Sequence, residues 1–539
     1  MRKILSLVLA VMMMLGCVSI ASAEEATGSN VLTMAMGLNP NLDIHWNAGS
    51  TGAQLIQLMY EGLYRTTPTG FELAGAESVE TSEDGLTWTF KLRQDAVWND
   101  GKPVTAADYV YSMQRLVNPE VGSTYMKDYG QFLKNGLAIA NGEMEVEELG
   151  VKAIDDYTLE IQLENVCSYF DALLCYSTFY PLRSDVVVED GTGNWAWEVE
   201  RSITNGPMKM TACDEEQEIV LEKSETYYGA ADVELDKLVV KMVDDANTTL
   251  SMLKTGDIDL ALTYPSEETE SLISEGLYHT GPALASSFLL VNTQKEPLND
   301  PNVRKALSLA IDREYLANVL MAGTKEPAVA YVGHGFPGST ADQDFRTEGG
   351  DLLSTDVEAA KQLLADAGYP NGEGFPVIEC SYGNNTADNT TLFEYLQACW
   401  EELGIQTVLT PMEPAAMTEL RDAGSFDITN QNWGADYFDA SNMLSIFVTG
   451  NFINAGRYSS EAFDTAYNTA LTTVDNAERM ELLHQAEQTL IVDEVGMIPL
   501  YHSKTVVLYS DDVVSNVIFD ANGKIELQHA VVTGGAASN

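Results

Sequence analysis

The stretch Asn-Trp-Gly-Ala-Asp-Tyr-Phe-Asp at 432–439 sets two carboxylates, Asp436 and Asp439, among three aromatic rings. Three chemistries suit such a pair. Two carboxyls at a fixed separation can work as acid and base, as in a glycosidase. One carboxylate can be the counter-charge of a cationic ligand, or a solvated loop group. Nothing else in the chain strengthens the catalytic reading. The six histidines, at 45, 279, 334, 484, 502 and 529, are scattered, and no H-E-x-x-H or G-x-S-x-G motif occurs. No cofactor or metal is called for.

The elements around 432–439 decide where it sits. The apolar segment Phe426 to Thr429 predicts a strand at 426–431, so the stretch should leave a strand end. Upstream, types alternate: strand 376–382, helix 388–403 stopped by Gly404, strand 405–410, helix 414–423. That β-α-β-α-β order predicts an α/β region with part of its sheet parallel. Ligands in such regions sit beyond the carboxyl ends of strands, where Asp436 falls.

Elsewhere the punctuation is equally regular. Thr87 to Leu92 alternates, with Trp88, Phe90 and Leu92 on one side, which predicts a half-buried strand. Thr105 reads as a helix cap with Asp108 three residues on, and Tyr109, Val110, Met113 and Leu116 form the helix stripe. Strands are predicted at 158–163, 218–223, 237–243 and near 504–509. Helices are predicted after Asp300-Pro301, after Asp312, within 354–372, before Gly256 and near 476–490.

Composition bounds the partners. The 539 residues suggest roughly three to four domains' worth of chain. With 29 basic and 81 acidic residues the formal charge is -52, a surface that repels nucleic acid. Arg2, Lys3, the apolar run Ile4 to Leu15 and Ala21-Ser22-Ala23 read as an export signal over 1–23. Leu15-Gly16-Cys17 is alternatively a lipoprotein box that would tether the chain through Cys17. After Cys17 the count is odd: Cys167, Cys175, Cys213, Cys380 and Cys399, without C-x-x-C spacing, read as buried structural thiols.

Several segments together resemble one family. "DGLTWTFKLRQDAVWNDGKPVTAADYVYSMQRL" from Asp84, "VRKALSLAIDR" (303–313) and "AKQLLADAGYP" (360–370) are similar to landmarks of the family 5 solute-binding proteins that serve peptide ABC transporters. "GVKAIDDYTLEIQL" (150–163), "TNGPMKM" (204–210) and "WGADYFD" resemble the oligopeptide-binding branch, and the resemblance runs in order from about 31 to about 510. It implies an α/β, two-lobed, three-domain binding protein of the type II, cluster C kind, hinged between its lobes. Lobe I would combine 31–60, 184–284 and 501–539, with an inserted small domain at 61–183 and lobe II at 285–500. It implies a monomeric, non-enzymatic receptor outside the cytoplasm, with a peptide ligand and an ABC permease as partners.

The resemblance also implies a site. Asp436 would take the peptide's ammonium, Asn432 and Gly434 would offer backbone groups, and Trp433 would wall a pocket. Tyr125 would contribute from the inserted domain, and Gly49 and Ser50 from the loop at 45–51. Without the resemblance, Trp433 is also readable as core, Tyr125 as a surface tyrosine, and Asp439 as structural or solvated. Two positions depart from the pattern. Asn430 stands where some relatives carry an arginine for a short peptide's carboxylate, and Gly434 where some carry one cysteine of a pair. The alternatives are a receptor of the same fold for an oligosaccharide, a metal complex or another solute, and more remotely a secreted hydrolase using Asp436 and Asp439.

Overall fold

The computed structural model describes residues 29–534 apart from 38, 39, 48, 190, 215, 216, 341, 342 and 385. The expected signal segment at 1–23 and Cys17 lie outside the described residues.

Three sheets organise the molecule. A four-stranded antiparallel sheet pairs Ala76–Thr81, Thr87–Leu92, Thr158–Gln162 and Val151–Asp155 in that spatial order. Its strand Thr87–Leu92 buries Trp88, Phe90 and Leu92, as the alternation predicts. The helix Ala106–Val117 is capped by Thr105 and Asp108 in a reciprocal capping box and buries Tyr109, Met113 and Leu116.

A seven-stranded sheet gathers distant pieces of chain in the order 278–281, 505–509, 260–261, 31–36, 237–242, 218–223 and 208–214. A six-stranded sheet runs 326–327, 497–502, 285–291, 428–434, 378–383 and 407–412. Its strand Ile378–Gly383 is parallel to both Thr407–Met412 and Ile428–Gly434, as the β-α-β-α-β order predicts. Apolar cores cover both faces of this sheet. Phe288 and Leu290 point into one, and Leu289 and Val291 into the other. A strand buried on both sides therefore reads as an unbroken apolar run.

The chain passes between the two large sheets twice. One passage, at 282–284, links the strand Tyr278–Gly281 to Ala285–Val291. The other, at 503–504, links Met497–His502 to Thr505–Tyr509. The two lie side by side, with the Ser503 amide donating to the Ala285 carbonyl at 2.9 Å. The strand Met497–His502 runs through position 500/501, so the change of sheet falls just after it.

Short caps fix the helix starts. Asp300 accepts from the Asn302 amide ahead of Pro301, and Asp312 accepts from the Tyr315 amide. Gly256 ends Ala246–Thr255 in the left-handed region, at φ 76°. Among the described residues no helix is long and apolar enough to cross a membrane.

Candidate ligand-binding site between the sheets

The strand predicted at 426–431 starts later and runs further, over Ile428–Gly434. Asn432, Trp433 and Gly434 are thus part of it, and Asp436 lies two residues beyond its end. The apolar signal stops at Thr429 because only Ile428 and Thr429 lie in the filled core, while Asn430 to Gly434 are partly or fully exposed.

The two edges of this strand differ. One edge pairs along its whole length with Ala285–Val291, from Val291 opposite Ile428 to Ala285 opposite Gly434. The other pairs with Ile378–Gly383 only at Ile428 and Thr429. From Asn430 to Gly434 that second edge has no strand beside it among the described residues. An unpaired row of backbone donors and acceptors is a template for an added strand.

Asp436 stands at the end of that edge. Its amide and the Trp433 indole N–H both donate to the buried Asn442 Oδ1, each at 3.2 Å. Its half-buried carboxylate forms no ion pair among the described residues. Burial holds the carboxyl above its usual range, the Asn442 side chain offsets part of that, and the Asp128 carboxylate adds to it. Among the described residues no cation offsets this rise.

Asp439 has the opposite surroundings. It is buried, caps the helix Ala440–Ser445 by accepting from the Ser441 amide at 2.9 Å, and is ion-paired with the buried Arg479. Both carboxyls of an acid–base pair must reach a substrate, and Asp439 is already committed to Arg479 and its helix. Its helix carries Asn442, so the buried pair positions the group that holds Asp436.

Aromatic residues of the 61–183 segment face this end. Tyr125 lies edge-on to Tyr129 at 5.3 Å and to Tyr176 at 5.5 Å. Burial raises the Tyr125 hydroxyl above its usual range, a hydrogen bond with Tyr176 offsets part, and the Asp436 carboxylate adds to the rise. Asp436 acts on Tyr129 and Tyr176 in the same sense. The structure therefore brings Tyr125, Trp433 and Asp436 together and adds Tyr176, which no spacing in the sequence marks. Tyr169 stacks on Tyr437 at 5.3 Å beside them, with the Arg479 guanidinium 4.8 Å from the Tyr169 ring centre.

Gly434 is not required by the fold. A Cβ added there would meet only the Ala285 Cβ, at an ordinary 3.7 Å. The missing side chain leaves room on the open side instead. Gly49 and Ser50 are exposed at the start of the helix Ser50–Met59. They connect to the Tyr125 wall through the adjoining loop, where Thr124 donates to the His45 carbonyl at 2.9 Å.

Polar groups continue along the strand and across the sheet from it. Asn430 donates to Asn389 Oδ1 at 3.0 Å, near the start of the helix Ala387–Glu401. Asn432, Ser287 and Tyr501 are in register across three strands, so their side chains share a face. Lys325 lies over the Tyr501 ring at 5.9 Å, half-buried and without a salt bridge or hydrogen bond among the described residues. Burial lowers its pKa, and Asp388 offsets part of the shift. Asp388 also raises the hydroxyls of Tyr501 and of Tyr278 from the seven-stranded sheet, after burial and other nearer causes. These groups meet where the two large sheets approach. Sequence reading missed Lys325 because Gly323-Thr324-Lys325 carries no periodicity or motif.

The chain is similar to known proteins over most of its length. Residues 71–455 match the family described as bacterial extracellular solute-binding proteins, family 5. The chain is 31% identical to the dipeptide-binding protein DppE of Bacillus subtilis, over 85% of this chain and 83% of that protein. It is 31% identical to the periplasmic oligopeptide-binding protein OppA of Escherichia coli, over 86% and 85%. Its fold is similar to the unliganded open form of the murein tripeptide-binding protein MppA, with a TM-score of 0.79 and 26% identity over 94% of this chain and 97% of that one. The relatives named are binding proteins.

Proposed function

The chain belongs to the bacterial extracellular solute-binding proteins of family 5, and from that premise we propose that it captures oligopeptides outside the cytoplasm and delivers them to an ABC permease. One observation carries the reading: the free strand edge from Asn430 to Gly434 leads to a carboxylate without a cation.

A receptor for peptides of varied sequence must grip what all peptides share. The free edge supplies hydrogen bonds to the ligand backbone, and Gly434 lets that backbone approach. Asp436 takes the N-terminal ammonium, which needs a counter-charge once it leaves water. Tyr125, Tyr176 and Trp433 wall the first side-chain pocket, and the loop ending at Gly49 and Ser50 borders it. Lys325 supplies the cation that Asn430 lacks, meeting a ligand carboxylate at the other end.

The same reading divides the chain into lobe I (31–60, 184–284 and the segment after 502), an inserted domain (61–183) and lobe II (285–502), the strand Met497–His502 staying whole. The paired passages at 282–284 and 503–504 serve as the hinge. Peptide binding favours the closed arrangement, which the permease reads. The receptor is monomeric and binds without chemistry; the pairing of Asp439 with Arg479 keeps it from serving as the second carboxyl of an acid–base pair. The chain is exported, either cleaved after Ala23 or tethered through Cys17.

Mass spectrometry of ligand released from the purified protein tests this. The expected result is a set of oligopeptide masses. A saccharide or a metal complex as the sole released species contradicts it.

A further inference from the structure

A separate, partly open cavity lies near the Asp436 loop, with Phe438 in its wall. It measures about 630 Å³, within the usual range for small-molecule sites. Its walls come from both sides of the hinge: the turn at 68–71, the hinge residue Pro282, and Phe336 and Phe438 of the other lobe. The rings form one continuous wall. Phe71 is edge-on to Phe438 at 6.2 Å, and Phe336 stacks against Phe438 at 6.4 Å.

Asp171 also lines this space. Its half-buried carboxylate accepts one hydrogen bond, from the Ala172 amide at 2.9 Å, and pairs with no cation among the described residues. The other carboxylate on the wall, Asp344, is already engaged by His334, by the Gly335 amide and by the Thr347 amide. An aromatic wall with one uncompensated carboxylate is complementary to a cation that carries an apolar body.

We propose that this cavity is a second binding site, separate from the free strand edge, for a small organic ammonium ion with an aromatic or aliphatic body. The ammonium meets Asp171 and the apolar body lies along Phe71, Phe438 and Phe336. The site does not depend on the nature of the ligand in the Asn430–Gly434 cleft.

The pH signature follows from the groups around Asp171. Burial pushes its carboxyl up to about 6, the Ala172 amide offsets part, the Asp439 carboxylate adds to the rise and Arg479 opposes it. Tyr64 and Cys175 face it and remain neutral, because burial raises both. Affinity for an ammonium ion is therefore full well above pH 6 and falls as Asp171 takes up a proton. At pH 5, about one unit lower, roughly a tenth of the carboxyl is ionised and binding weakens about tenfold.

Calorimetry with phenethylammonium chloride on the mature protein tests the site, with 2-phenylethanol as the uncharged probe of like shape. The expected result is saturable binding at pH 8, about tenfold weaker at pH 5 and weaker again for the alcohol. Asp171→Asn abolishes it while peptide binding persists. Asp436→Ala leaves it intact, which separates this cavity from the peptide's ammonium site. Absence of binding to the wild type, retention in Asp171→Asn, or loss in Asp436→Ala overturns the proposal.

Discussion

Asp436 and Asp439 lie three residues apart in one loop, and the fold treats them in opposite ways. Asp439 is buried, caps a helix and is ion-paired with Arg479. Asp436 is half-buried, pairs with no cation among the described residues and is held above its usual pKa. One carboxylate completes the protein and the other leaves it incomplete. The difference shows how one loop can fix one carboxylate and leave its neighbour open. Arg479 fixes Asp439, Asp439 starts the helix that carries Asn442, and Asn442 accepts from the Asp436 amide.

The largest effect expected from this contrast is on stability. Asp439→Ala leaves Arg479 buried without a partner and lowers unfolding free energy by about 3–5 kcal/mol. Denaturant unfolding measures it. Asp436→Ala in the same assay changes stability little, within about 0.5 kcal/mol of wild type or slightly upward. Equal losses in the two variants would erase the contrast.

Binding should reverse the ranking. Asp436→Ala lowers affinity for a peptide with a free ammonium by about 2–5 kcal/mol. The pH dependence has a fixed sign. Because the folded pKa of Asp436 is raised, its ionised form costs the empty protein stability at neutral pH, and the cost fades as pH falls through that pKa. A bound ammonium favours the ionised form, so peptide affinity drops over the same fall in pH. In Asp436→Asn that part of the pH dependence disappears from the titration.

The far end of the strand sharpens the comparison. Lys325→Met should cost about 1.5–3 kcal/mol for peptides with a free carboxylate at that end, the range for a hydrogen bond to a charged group. Amidated peptides should show no such loss by calorimetry. A smaller effect is expected at Gly434→Ala. Its Cβ fits the protein, so the melting temperature holds, while peptide affinity falls about tenfold, about 1.4 kcal/mol.

Much of the scaffold was legible in the sequence because its signals are local. The alternation at Thr87 to Leu92 and the cap at Thr105 act within a few residues, and both appear in the structure. The Ile428–Gly434 strand was read short because polar residues occupy the part left open to solvent. The place of Asp436 beyond a strand end follows from the β-α-β-α-β order, while the role proposed for it rests on resemblance to a family pattern. The Asp439–Arg479 pair spans 40 residues, and Lys325 meets the Tyr501 ring from an irregular segment, so neither leaves a mark in periodicity. Charges paired across the fold are set by tertiary contact.

The central claim is that Asp436 is the counter-charge of a peptide's ammonium. A calorimetric cycle tests it directly, comparing one peptide with its N-acetylated form in the wild type and in Asp436→Ala. The account predicts that acetylation weakens binding to the wild type by about 2–5 kcal/mol and makes almost no difference in the variant. An equal loss on acetylation in both proteins would contradict it.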